Sequence, residues 1–416
     1  MSTHSNLLKT IMGKQPILNI GCLGSVSDGK STTVFQLTGT KTQRHSNEKT
    51  RNITIKPGYA NMKIWRSPDG KYITTNSENI VVDAELIHHL SFVDCPGHQE
   101  LILTMMGSVS LMKGAIVVVS AAEEISKKPQ LIQHLAAAKL AGLTKLIILF
   151  NKLDLITIEK ARERKEELDD LLERLEIKPI YIIPTALNKK IGLDKVIEAI
   201  MEVFPPELDD TEASPEFLIT RSFDINKPGT NFDEVKGGVI GGSLITGQLK
   251  VGDTIEIRPG FIGRNNTVVP FKTKILSIKS EKENLDNFFP GGLIAIGTNI
   301  DPYFCTDDAL SGNILGLENK LPSVYSKINM NFTATDVFGG DWKPKKEDKV
   351  YLQIGNVNRE AKLLEVSKNT LTFELTKPSC ISDNALIIIC LNIEGDLLRI
   401  VGYGNLNSKK STVILK

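Results

Sequence analysis

Apolar positions in the first half of the chain switch repeatedly between the spacing of strands and the spacing of helices. Residues 17–23 read as a buried strand, followed by a glycine-rich turn and a helical pattern over 31–37. Residues 59–65 alternate like a half-buried strand, and 90–94 read as another. Residues 115–120 and 145–150 are continuous aliphatic runs, as expected of strands covered on both faces. Between them, 129–141 predicts a helix with Pro129 at its start and Gly142 at its C-cap. Residues 159–175 form a charged amphipathic helix, and a strand over 180–184 and a helix over 193–203 complete the set. This alternation predicts a parallel sheet with helices on both faces.

Pro205, Pro206 and the acidic run to Glu212 interrupt the pattern, and helices then nearly vanish. Short apolar stretches at 217–223, 239–244, 254–258, 274–278 and 293–296 are separated by glycines, prolines and polar turns. That spacing predicts a small antiparallel barrel. After a second break at Leu321 and Pro322, strands are expected at 350–354, 371–375 and 385–391. The expected organisation is an α/β domain over 1–207, then β-barrel domains over 208–321 and 322–416.

A chain of 416 residues is too long for one core, in keeping with three domains. Hydrophobic residues at 41% and charged residues at 24% describe an ordinary soluble protein. With a net charge of +1, nucleic-acid contact has to rest on a local basic patch. The five cysteines lie far apart with no C-x-x-C pair, which argues against a disulfide framework and against a cysteine zinc knuckle. The first fifteen residues are polar and no apolar run is long enough to span a bilayer, so a cytosolic protein without membrane contact is expected.

The run Gly24-Ser25-Val26-Ser27-Asp28-Gly29-Lys30-Ser31 matches G-x-x-x-x-G-K-[ST] between a strand and a helix. Glycines let backbone N–H groups close around phosphates, and the helix N-terminus adds favourable dipole charge. Lys30 is expected at the β- and γ-phosphates and the Ser31 hydroxyl on Mg²⁺, with Gly24, Ser27, Asp28, Gly29 and Thr32 lining the same loop. Asp94-Cys95-Pro96-Gly97 ends an apolar strand, where Asp94 can hold Mg²⁺ through water and Gly97 can meet the γ-phosphate. In Asn151-Lys152-Leu153-Asp154 the aspartate accepts from guanine's ring N–H and exocyclic amine, while the Lys152 stem packs on the base. Adenine offers an acceptor where that carboxylate needs a donor, and an unpaired buried group costs about 10⁴-fold in discrimination. Thr185-Ala186-Leu187 resembles the S-A-x loop whose amide meets the guanine carbonyl. Each motif taken singly has an ordinary turn or cap as its alternative; four in order at strand ends predict an α/β P-loop GTPase domain binding GTP and GDP.

His98 follows the D-C-P-G run, a position where translational GTPases carry histidine to orient the attacking water; the alternative is a cap on the next helix. Thr54 lies in the expected first switch, where it would bind Mg²⁺ only with GTP, so that His98, Lys30 and Thr54 are the catalytic candidates. The run 51–60, R-N-I-T-I-K-P-G-Y-A, resembles the first switch of the gamma subunit of eukaryotic and archaeal translation initiation factor 2. So do R-S-F-D-I-N-K-P-G at 221–229, the glycine-rich run at 237–243, I-E-I-R-P-G at 255–260 and P-G-G-L-I-A-I-G-T at 290–298. The resemblance covers roughly 17–316 well and thins in the third domain, where I-V-G-Y-G at 400–404 is the clearest echo.

The resemblance implies a GTP-dependent carrier of methionylated initiator tRNA to the small ribosomal subunit. It also implies a heterotrimer with alpha and beta subunits, and GTPase-activating and exchange factors as further partners. The tRNA acceptor end would meet Tyr59 and Phe223, whose alternative is core packing, and Lys272, Lys274 and Lys279 are candidates for phosphates, with solvated strand lysines as theirs. Departures from the family pattern are the two P-loop histidines, here Ser25 and Asp28, and its P-Q-P-Q-like run, here Ser126-Lys127-Lys128-Pro129-Gln130. Asp28 brings a negative charge close to the phosphates, and the second change is expected to alter a partner surface. With no cysteine between Cys22 and Cys95, no zinc is expected. Two other readings compete: a GTP-binding scaffold with little hydrolysis, and an elongation-type carrier of another aminoacyl-tRNA.

Overall fold

The computed structural model describes residues 3–42, 56–77, 83–98, 102–208, 211–335, 342–393 and 397–415. They fall into two compact units, Met1–Glu207 and Leu208–Lys416.

The first unit is built on a seven-stranded sheet. Its strands are β1 (Asn19–Leu23), β2 (Gly58–Arg66), β3 (Tyr72–Thr74), β4 (Glu85–Asp94), β5 (Gly114–Ser120), β6 (Leu146–Asn151) and β7 (Tyr181–Pro184), in the order β3-β2-β4-β1-β5-β6-β7. Strands β4, β1, β5, β6 and β7 run parallel, and the aliphatic runs in β5 and β6 are buried throughout. The expectation of a purely parallel sheet fails at one edge. β2 pairs antiparallel with β4 and with β3; residues 67–71 join β2 to β3, a connection too short for a parallel crossover. Only alternate residues of β2 are buried, Ala60, Met62 and Ile64, as an edge hairpin covered on one face demands.

Helices α1 (Thr3–Lys14), α2 (Lys30–Thr38), α3 (Ile102–Val109), α4 (Pro129–Leu140), α5 (Ile158–Arg174) and α6 (Leu193–Val203) accompany the sheet. α4 starts on Pro129, whose missing N–H costs nothing in a first turn, and Gly142 beyond its end adopts φ +74°. α1 was not legible as an element; its two buried apolar residues, Ile11 and Met12, bring it against β4. The Met12 carbonyl accepts from His89 Nδ1–H at 2.8 Å, and the Phe204 carbonyl accepts from His88 Nε2–H at 2.8 Å.

The second unit carries two eight-stranded antiparallel sheets that make its two β-barrel domains. The first runs from Glu216–Phe223 to Ile314–Leu317 around Phe217, Ile257, Phe288 and Ile296. The second runs from Val324–Asn331 to Thr412–Leu415 around Ile328, Leu352, Phe373 and Ile389. The strand expected over 274–278 is in fact a break: Val268–Lys274 ends and Ser277–Ser280 begins there, since Ile275 turns into the core while Leu276 is exposed. Arg258, 3% exposed, lies between the two sheets: its guanidinium is paired with Glu256 and donates to the carbonyls of Leu321 and Pro322, 3.1 Å each. Asn356 Nδ2 adds a 2.8 Å bond to the Ile219 carbonyl.

Burial pushes His89 down to about 4 and lowers His88 as well. Between about 4 and the ordinary histidine value near 6.5, the unfolded chain holds a proton on His89 that the folded chain does not. Stability of the first unit therefore rises with pH across that window and is lost as pH falls, by up to about 1.4 kcal/mol per pH unit for this ring. Denaturant titrations at pH 5 and pH 7, read on Trp65 in a Trp342→Phe background, should show a smaller difference for His89→Gln than for the parent. In the second unit, Arg258→Met leaves a buried carboxylate without its cation and should cost about 3–5 kcal/mol. Trp342 fluorescence in a Trp65→Phe background measures this, and adding Glu256→Gln should recover much of the loss.

Candidate nucleotide site

β1, flanked by β4 and β5, delivers the chain at Leu23 and α2 resumes it at Lys30; the six residues between must turn it at the strand's carboxyl end. Gly24 has φ +137° and a Cβ there would meet the Val118 carbonyl oxygen at 2.2 Å. Gly29 has φ +110° and a Cβ would meet Asn151 Nδ2 at 2.6 Å, so both positions require glycine. Ser27, also left-handed at φ +65°, sits between them. Lys30, nearly fully buried, donates from Nζ to the Ser25 carbonyl at 2.7 Å, and Thr32 lies half-buried in the first turn of α2. Burial lowers the Lys30 ammonium below its ordinary value, against the opposing pull of the Asp94 and Asp28 carboxylates.

Asp28 does not present a bare charge to this loop. It is completely buried, its Oδ2 accepts the Ser25 N–H at 2.9 Å, and its Oδ1 is paired with Lys128 Nζ. Lys128 is itself 3% exposed and also reaches the Ser120 carbonyl at 3.3 Å. The expectation that the 126–130 change alters a partner surface is thus corrected at Lys128, which faces inward, whereas Lys127 stays exposed. Further along α4, His134 Nδ1 accepts the Gly24 N–H at 3.0 Å; burial, and secondarily the Lys30 charge, hold this ring down to about 3, so it remains a neutral acceptor. Neither Lys128 nor His134 belongs to a nucleotide motif. Only their departure from, or position beside, such a motif marks them in the sequence.

Ser31 Oγ donates to Asp94 Oδ2 at 2.7 Å, which brings together the two side chains read as Mg²⁺ ligands. Thr42, which sequence reasoning missed, donates to the same oxygen at 2.5 Å. Hydroxyl and carboxylate oxygens converging on one point suit a hard cation such as Mg²⁺. Thr54, the third expected ligand, lies outside the described residues. Gly97 is buried against the loop, and a Cβ there would meet Lys30 Nζ at 2.3 Å. His98 is half-buried immediately after it. Among the described residues no group of three or more His, Cys, Asp or Glu side chains is placed to hold a metal.

Asn151 ends β6 and is buried. Its Nδ2 donates to the Asp28 carbonyl at 3.0 Å, while its Oδ1 accepts from the Leu187 N–H and the Thr185 hydroxyl, each at 3.2 Å. Lys152 adopts a left-handed φ of +64°, a conformation a non-glycine residue keeps only where its surroundings impose it. Asp154 pairs with Lys189 at 3.1 Å, and Thr185, Ala186 and Leu187 are buried. All the described P-loop, D-C-P-G, N-K-x-D and T-A-L residues therefore gather at the carboxyl ends of β1, β4, β6 and β7. The two tRNA candidates belong to different units, and Tyr59, paired with Val93, lies beside the Asp94 end of β4. Tyr59 is half-buried on the face of β2 opposite Ala60, and Phe223 in the second unit is 36% exposed with the Arg221 guanidinium 5.0 Å from its ring centre. Neither is a core residue. Lys272 is paired with Glu318 at 2.8 Å.

Residues 15–206 match the family model for the elongation factor Tu GTP binding domain, and 339–406 match that for initiation factor eIF2 gamma, C terminal. The chain is 36% identical to eukaryotic translation initiation factor 2 subunit gamma of Encephalitozoon cuniculi, over 95% of this chain and 94% of that one. It is also 36% identical to translation initiation factor 2 subunit gamma of Methanocaldococcus jannaschii, over 96% and 100%. Among solved structures, it resembles a bacterial selenocysteine-specific elongation factor, with TM-score 0.72 and 20% identity over 94% of this chain and 58% of that one. Elongation factor SelB of Methanococcus maripaludis in complex with GppNHp gives TM-score 0.71 at 20% identity, over 94% and 79%. These two likenesses speak for the fold, whereas the sequence relatives speak for the family. The chain belongs to the gamma-subunit family of translation initiation factor 2, and is a GTP-binding translational GTPase.

Proposed function

We propose that this protein is the GTP-dependent carrier of methionylated initiator tRNA to the small ribosomal subunit, acting in the cytoplasm as the core of a heterotrimer with alpha and beta subunits. Its domains are taken as 1–207, 208–321 and 322–416, and zinc has no part in the proposal. The observation that carries it is the gathering of P-loop, D-C-P-G and N-K-x-D residues at one sheet edge in a chain of this family.

Backbone N–H groups of the later part of the loop and the first turn of α2, up to Thr32, bind the phosphates, while those of Gly24 and Ser25 serve His134 and Asp28; Lys30 neutralises the charge that develops between β- and γ-positions. Ser31, Thr54 and Asp94 hold Mg²⁺, which screens the phosphate oxygens when bound. Asp154 and Lys152 read the guanine, with the loop Thr185-Ala186-Leu187 at its carbonyl. Gly97 follows the γ-phosphate, and His98 orients the attacking water once a partner completes the site. Tyr59 and Phe223 offer aromatic faces to the acceptor end of the tRNA. Intrinsic hydrolysis is slow, and activating and exchange factors set the cycle.

The primary test is binding of methionylated initiator tRNA, against elongator methionyl-tRNA, in GTP and in GDP with the alpha subunit present. Tight binding that needs GTP and prefers the initiator is expected. Equal binding in GDP would instead describe a scaffold, and preference for the elongator an elongation-type factor. His98→Ala should lower ribosome- and activator-stimulated hydrolysis on the order of 10²-fold while GTP affinity stays within about twofold. Unchanged stimulated hydrolysis would remove His98 from the mechanism.

A further inference from the structure

A buried ion pair joins the P-loop to the segment that leads into α4. Asp28 is fully buried in the loop itself, and Lys128, 3% exposed, comes from the residue preceding α4. Asp28 is committed on all sides: Oδ2 to the Ser25 N–H, its carbonyl to Asn151 Nδ2, and Oδ1 to Lys128. Lys128 has two further oxygens near it, the Ser120 carbonyl at 3.3 Å and the half-exposed Glu123 carboxylate at 3.6 Å. α4 grips the loop a second time through His134 and the Gly24 N–H. The P-loop is therefore fixed at its first and fifth positions by one neighbouring segment. Asp28 and Lys128 stand 100 residues apart in the chain, and the geometry joins them into one unit.

We infer that Lys128 is a positioning residue for nucleotide binding: it neutralises Asp28 from behind, so that a carboxylate inside the P-loop shapes the loop through the Ser25 N–H without repelling the phosphates. An uncompensated carboxylate within a phosphate cradle acts against every negative oxygen there, and in a partly desolvated site such a charge is screened weakly. With Lys128 paired to it, the local sum is zero and the loop's N–H dipoles decide the binding. A guanine nucleotide with more phosphate charge depends on that neutralisation more. The inference rests on the P-loop being the nucleotide cradle.

The test measures dissociation constants and release rates of fluorescent GDP and GTP analogues for the full chain and for Lys128→Met, Asp28→Asn, the double variant and Lys128→Arg, with melting temperatures alongside. Lys128→Met should weaken GDP by about 30-fold and GTP by more. Asp28→Asn in the Lys128→Met background should restore affinity to within about tenfold of the parent, and Lys128→Arg should hold it there. That reversal is specific to charge, since a purely structural brace would be loosened further by the second change. The inference is overturned if Lys128→Met binds within about threefold of the parent, or if the double variant is as weak as Lys128→Met. Should Lys128→Met fail to fold, the double variant decides alone: binding within about tenfold of the parent supports the inference, and anything weaker overturns it. Failure of the parent chain itself to bind GDP would be a different result, against the nucleotide site as a whole.

Discussion

One buried side chain amide ties the nucleotide site together. Asn151 sits at the end of β6, donates to the Asp28 carbonyl in the P-loop, and accepts from Leu187 and Thr185 in the loop after β7. An Asn side chain carries two donors and an acceptor with two lone pairs, and here three of those four positions go to two loops other than its own. Each loop leaves the sheet as irregular backbone, which without such bonds would bury unsatisfied groups or drift. The left-handed turn at Lys152 and the absent Cβ at Gly29, which would meet Asn151 Nδ2, follow from the same constraint.

This explains what could be read from the sequence. The loops are recognisable because backbone geometry and hydrogen-bond chemistry restrict which residues work: Gly24 and Gly29 for left-handed turns, Asn151 for its two-sided amide, Asp94 beside Ser31. Helices α4, α5 and α6 were visible through local spacing and through Pro129 and Gly142. What stayed hidden depends on contacts distant in the chain. Nothing local says that β2 folds back antiparallel on β4, or that α1 will find Ile11 and Met12 a place on that strand. Lys128 is separated from Asp28 by 100 residues and looks like one more surface lysine in a run of two. His134, on a mostly apolar helix, is equally silent until α4 is packed on the loop. Thr42 gave no signal at all, being a threonine outside any motif.

In the second unit the organising problem is different, because the two barrels meet through polar groups. Arg258 is buried with Glu256, and its remaining donors go to the carbonyls at Leu321 and Pro322, where the chain passes from one sheet to the other. A buried pair of this kind adds little net stability over an apolar contact, since both charges have lost their water. It does add direction: an apolar contact slides at small cost, whereas a guanidinium with fixed acceptors defines one arrangement. Asn356 and the Ile219 carbonyl, across the same boundary, act likewise.

The first unit solves its own charge problem by balance. Four ionisable side chains, Asp28, Lys30, Asp94 and Lys128, are nearly or wholly buried around the P-loop, two of each sign. Isolated, any of them would have cost several kcal/mol to bury. Together they leave a site that is neutral before any ligand enters. Attraction for phosphate then comes from the aligned N–H groups of the loop and the first turn of α2, which no salt or pH change near neutrality removes. Lys30 shifts towards its neutral form by burial, but the carboxylates of Asp94 and Asp28 oppose that shift, and this is the second use of the Asp28 charge. A carboxylate in the P-loop thus helps keep the phosphate-binding lysine protonated, and Lys128 prevents that same carboxylate from acting against the phosphates.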